Sequence, residues 1–158
     1  MALLFSGLTK CSICKKVIGE SDQVYLFPSF VANSKDILFF FNDASFHLSC
    51  LKNHALCEKA IQFSNIAILK GGPTNRICEA GGNIIKNYAD HIFIPLLTSN
   101  ENEELFNYNF VTLDKNNLML WKNREKFICE AKKFVADGKW GDFSKYKFLD
   151  DMIKILQV

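Results

Sequence analysis

The sequence is poor in the features that mark several protein classes. Three prolines and eight glycines in 158 residues exclude collagen-like and low-complexity structure. Apolar runs such as Ile37–Phe41 stop at five residues, far short of the roughly 20 that a membrane span requires. Charge of one sign is scarce as well: 19 Lys and Arg against 17 Asp and Glu leave a formal +2, so any polyanion partner would have to be recognised by local geometry rather than by a general field. Residues 1–8 carry neither a charged start nor a small-residue cleavage site, and the expectation is a cytoplasmic protein with no membrane contact.

What remains is ordinary in bulk, 49% hydrophobic and 23% charged. A chain of this length makes one domain or two very small ones, and a unit of roughly 60 to 70 residues buries too little surface to be secure without a staple. Six cysteines could supply it: Cys11, Cys14, Cys50, Cys57, Cys78 and Cys129. In a reducing compartment they favour metal binding or burial over disulfides.

Cys11-Ser-Ile-Cys14 is a C-x2-C pair, and His47-Leu-Ser-Cys50 is an H-x2-C pair after 32 intervening residues. A knuckle turn aims two thiolates at one point, and a pair at i and i+3 on a first helical turn converges likewise, so the two can close a tetrahedron. Residues 23–31 and 37–42, rich in Val, Phe and Tyr, read as two strands around the turn residues Asn33-Ser34-Lys35-Asp36. The predicted order is knuckle, β-hairpin, helix. It resembles the treble-clef zinc fingers, and with Ile18 and Phe46-His47-Leu48-Ser49-Cys50-Leu51 it looks most like the C-x2-C…H-x2-C finger of poly(ADP-ribose) polymerases. That family's phosphate-contacting Arg has no counterpart at Val24 or Tyr25, so the likeness implies the four ligands Cys11, Cys14, His47 and Cys50 and one structural Zn2+, but not recognition of DNA breaks. His54 and Cys57 follow Cys50 at helical spacing and are alternative ligands; packing against the hairpin is the plainer expectation for both.

Shifted by 67 residues, the sequence matches itself without gaps from Cys11–Ile61 to Cys78–Ile128, with 11 of 51 positions identical, where composition alone gives about three. In this second copy Cys78, Gly81, Asp114 and Asn117 stand at the ligand positions, a poor set for a tetrahedral metal. The copy should be held by its core, with Ile84, Ile85, Ile92, Ile94, Leu113, Leu118, Trp121, Ile128 and Val135 as candidates and Asp114 as a helix N-cap. Residues 66–69 with Gly71-Gly72-Pro73 read as a short bridge between the copies. Asp142 or Ser144 opens a last segment in which Phe148, Leu149, Met152, Ile153 and Leu156 form an apolar stripe, expected to pack across both copies or to dock on a partner. The expected architecture is therefore α+β: a zinc-bound treble-clef unit over residues 1–70, a degenerate metal-free one over 71–141, and a C-terminal amphipathic helix over 142–158.

No catalytic residues are assigned. Asp90-His91, Pro95-Leu96 and Asn117-Leu118 of the second copy resemble elements of HNH nucleases, but the helix ligand, expected near Glu125 or Lys126, and the Gly-rich loop are missing. Lys122, Arg124, Lys126, Lys132 and Lys133 offer a basic helix for nucleic acid, interleaved with Glu125, Glu130 and Asp137. The leading expectation is a non-catalytic zinc module that binds another protein. Nucleic-acid binding and a degenerate nuclease are the alternatives.

Overall fold

A computed structural model describes residues 3–5, 7–143, 145 and 147–157. Among these the fold is α+β, with two separate two-stranded antiparallel sheets, four α-helices and four short 3-10 segments. In the first unit β1 (Val24–Leu26) pairs with β2 (Ser45–His47), Val24 opposite His47. A short helix α1 (Leu48–Lys52) follows directly, then α2 (Cys57–Gly71). The second unit has β3 (His91–Phe93) paired with β4 (Thr112–Asp114), a 3-10 segment at Lys115–Leu120 and α3 (Arg124–Ala136); α4 (Phe148–Leu156) ends the fold.

The offset of 67 residues holds through the architecture. β1, β2, α1 and α2 start 67 residues before β3, β4, the Lys115–Leu120 segment and α3. The bridge Lys10↔Val17 has its counterpart in Ile77↔Ile84. Even the positive-φ residues match, Lys15 with Gly82 and Asp43 with Phe110. Asn42 and Asn109, identical in both copies, explain part of this: each side-chain oxygen accepts two backbone N–H groups, from Phe30 and Val31 in one unit and from Leu97 and Thr98 in the other. Each asparagine thereby fixes the loop that carries the chain from one strand toward the next.

Three local expectations are corrected. Ile37–Phe41 is a 3-10 helix and not a strand, and the hairpin partner of β1 is β2, immediately before the first helix. Its Asp36 cap accepts the Leu38 N–H, and burial alternates every third residue, Leu38 and Phe41 inside with Ile37 and Phe40 outside, which is the 3-10 period and not the strand period of two. The helix expected to run from Cys50 through Cys57 is broken between α1 and α2. There His54 stacks on Phe40 with ring centres 5.6 Å apart, and its Nδ1 accepts the Leu56 N–H at 3.2 Å. That local bond replaces a helical one. Residues 66–69, expected as a bridge, lie inside α2.

α2 buries Cys57, Ala60, Phe63, Ser64 and Ala67, and α3 buries Phe127, Ile128, Ala131 and Phe134, spacings of three and four that place one face inward. Ile85, Ile94, Leu113, Leu118, Trp121 and Ile128 join the core as expected; Ile84 and Val135 are exposed and Ile92 is half-buried. The units share their interiors, because Leu96 and Phe110 of the second unit are part of the cluster around Phe27, Phe41 and Phe46 of the first. α4 buries Leu149, Met152, Ile153 and Leu156 in the second unit's cluster, where it packs on α3 and not evenly across both copies. Ser144 lies outside the described residues.

A strap ties the units together after α3. Gly138, with φ of +71°, ends that helix as its N–H bonds back to Val135. The nearly inaccessible Asn33 then holds the passing chain, donating to the Lys139 carbonyl at 3.0 Å and accepting the Gly141 N–H at 2.9 Å, while the Ser34 N–H donates to the Gly141 carbonyl. A Cβ on Gly141 would stand 2.4 Å from Ser34 Oγ and 2.9 Å from Lys35 Cγ, so a side chain there would force both to shift.

Candidate metal centre

The first ligand pair sits on a tight turn. Cys11 N–H donates to the Lys16 carbonyl, Lys15 N–H to the Cys11 carbonyl, and Lys15 takes φ of +62° to close the loop. Ser12 N–H donates to the Ser45 carbonyl, which lays this knuckle against β2. The second pair comes from the end of that strand: His47 is its last residue and the cap position of α1, and Cys50 lies on the first turn of α1. β2 thus carries one ligand and fixes the position of the other pair.

The four ligand atoms of Cys11, Cys14, His47 and Cys50 all lie within 4.8 Å of one another. His47 Nδ1 is 3.3 Å from Cys14 Sγ and 4.0 Å from Cys50 Sγ, and the His47 backbone N–H donates to Cys11 Sγ at 3.4 Å. Among the described residues this is the one such group of Cys, His and acidic side chains. His54 and Cys57, the alternative ligands, are not part of it: His54 is stacked on Phe40, and Cys57 is buried in the first unit's core.

Asp22 is the site residue that the motif does not reveal. Its Oδ2 lies 3.2 Å from His47 Nε2 and accepts the Gly19 N–H at 2.7 Å. A carboxylate on Nε2 keeps the proton there and turns Nδ1 toward the thiols, the arrangement that orients a metal-binding imidazole. An acid beside a turn glycine is too common in sequence to stand out.

The electrostatics suit a cation. Burial pushes the Cys11 thiol up, but the backbone N–H groups of Cys14, His47 and Ile13 outweigh it and bring the value down to about 6. Burial, and then the neighbouring Cys14 and Cys11, raise Cys50. His47 is raised: burial opposes its charged form, while the sulfurs of Cys14 and Cys11 favour it. The groups thus compete for protons at close range, and a bound metal would displace the protons that Cys50 and His47 retain. Three thiolates and one imidazole nitrogen fit a divalent ion that takes four N/S ligands, and such an ion would cross-link the knuckle to α1.

The equivalent place in the second unit is filled by side chains. Asn83 donates to Asp114 Oδ2 at 2.9 Å and accepts from the Asn117 amide at 2.9 Å, and the Asp114 N–H donates to Cys78 Sγ at 3.2 Å. The fourth position is Gly81, where a Cβ would lie 2.6 Å from the Asn83 oxygen and 2.8 Å from the Asn117 nitrogen. Asp114 caps the following 3-10 segment as expected by accepting the Asn116 N–H. That bond and the Asn83 amide hold its carboxyl below the usual carboxylate range.

The residues of the nuclease likeness are placed as follows. His91 begins β3 opposite Asp114, its Nε2 buried without a hydrogen-bond partner, and burial together with Arg76 depresses its pKa. Asp90 accepts from Asn87, and the amide of Asn117 is taken up by Asn83. Along α3, Arg124 pairs with Glu125 and Lys126 with Glu104. No helix is long and apolar enough to cross a membrane among the described residues. No family model, curated protein or solved structure matches the chain.

Proposed function

We propose that the chain is a non-catalytic zinc module, made of two tandem treble-clef-like units of which only the first binds metal, and that it works in the cytoplasm by binding another protein. The observation that carries this reading is the closed Cys3His group, whose ligand atoms lie within 4.8 Å of one another. A site with four protein ligands leaves no position for water or substrate, which is the mark of a structural metal, and three sulfurs with one nitrogen favour zinc. Six free thiols accord with a reducing compartment.

The surface supports a protein partner over a nucleic acid. Ile77 and Ile84 are exposed around the metal-free knuckle, where the first unit has Lys10 and Val17. Arg124 and Lys126, central to the basic helix, are engaged by carboxylates.

Metal analysis of protein purified without added zinc should give one zinc per chain; two or none would refute the assignment. Crosslinking in the native cell should recover a stoichiometric protein partner. Duplex binding that falls steeply between two salt concentrations would replace that reading with the nucleic-acid one. DNA cleavage with added Mg2+ that disappears in His91→Ala would replace it with the nuclease.

A further inference from the structure

The two units differ in surface chemistry most between the strand that ends the hairpin and the long helix. Across the offset of 67, Leu48, Lys52, Asn53 and Cys57 become Lys115, Met119, Leu120 and Arg124. Lys52 and Asn53 are exposed in the first unit, so the fold has no need of apolar side chains at these positions. Met119 and Leu120 are nevertheless 69% and 62% exposed. Such a residue pair is hard to ascribe to packing.

Met119 also walls a notch. Together with Leu118, Asn116, Lys115 and Ile155 of α4 it encloses about 220 Å3. Lys115 is the one charged side chain on this lining and has no ionic or hydrogen-bond partner among the described residues. The guanidinium of Arg124 lies against the Met119 sulfur and pairs with the Glu125 carboxylate. The notch is thus apolar inside with one unpaired base, Lys115, at its edge; the first unit has Leu48 and Lys52 in this segment, so the apolar and the basic positions are exchanged between the copies.

We propose that this notch docks an acidic, apolar segment of the partner protein: one aliphatic, Met or Phe side chain enters between Met119 and Ile155, and an adjacent Asp or Glu meets Lys115. The proposal rests on the protein-binding reading above and adds to it a place and a chemistry. An apolar anchor in a pocket with a charged contact at its edge is the usual division of labour in peptide recognition. A nucleic acid would meet Lys115 but has no aliphatic side chain for the notch.

The test uses the full zinc-loaded chain and, as probe, random peptides displayed on phage. Selected peptides should combine an apolar residue with a neighbouring Asp or Glu, and should bind the double variant M119K/L120N at least about tenfold more weakly. That variant carries the first unit's own residues at exposed positions, and its melting curve, recorded alongside, should match the parent. K115E should turn the selection toward basic peptides while the apolar anchor persists. Peptides that bind M119K/L120N as well as the parent, or no enriched class at all, would overturn the notch. A concentration-dependent dimer lost in M119K/L120N would assign it to a second copy of the chain and overturn the proposal too. If peptides bind elsewhere, the notch fails while the protein-binding reading stands, since that reading is decided by the crosslinking experiment.

Discussion

The two units place the same backbone around two different centres. In the first, Cys11, Cys14, His47 and Cys50 converge as ligands that must give up protons to hold a cation. In the second, Asn83 reaches into the corresponding space and joins Asp114 to Asn117 by hydrogen bonds, with Gly81 leaving room for it. Cys11 and Cys78 play the same backbone role in both: each sulfur accepts the N–H of the residue that closes the second strand, His47 or Asp114. The cradle is therefore set by the chain path, and its content by three or four side chains. If the first centre holds zinc as proposed, that unit would depend on metal supply, whereas the second closes its centre with its own side chains.

The comparison can be broken most severely at the metal. Cys50→Ser should unfold the first unit, because structural zinc contributes apparent folding free energy on the order of 10 kcal/mol in units of this size. Circular dichroism and metal analysis should show both losses together, and a folded, metal-free variant would show that the ion is dispensable. A gain of metal is the converse. Gly81→Cys, Asp114→His, Asn117→Cys and Asn83→Lys together install the first unit's residues, and the protein should then hold two zinc ions per chain. One ion would mean that the two cradles are not equivalent.

Smaller effects sharpen the contrast. Asn83→Leu leaves the Asp114 carboxylate and the Asn117 amide without their partner, a loss of about 2 to 4 kcal/mol. It should appear as a lower urea midpoint with unchanged zinc content; an unchanged midpoint would remove the amide from the account. Asp22→Asn should keep the fold and weaken zinc binding by about 10- to 100-fold in competition with a chelator, since it loosens the hold on His47 Nε2. Equal affinity would reduce Asp22 to a turn residue.

Much of this was legible in the sequence because spacing carries it. The ligands stand in two short pairs, and the offset of 67 survives in the starts of the four strands and of the helices that follow β2 and β4. The Phe148-to-Leu156 stripe reads as helical and is. What could not be read was what a side chain does at a distance. Asn83 has no motif, since an amide can satisfy an acid and another amide from many positions. The strand partner was misplaced because Ile37–Phe41, apolar and aromatic, has strand composition, whereas β2 is three residues long and contains a serine and a histidine. Asp36 capping and the His54 stack then decided the local geometry against propensity.

The strap through Gly141 also sets how force would travel through this molecule. A pull on α4 would be shared between α3, on which it packs, and residues 138–141, which pass it into Asn33 and Ser34 on the first unit. The first unit would thus feel a load on the second at Asn33 and Ser34, on the far side of its aromatic interior from the chain's own N-terminal approach to the knuckle.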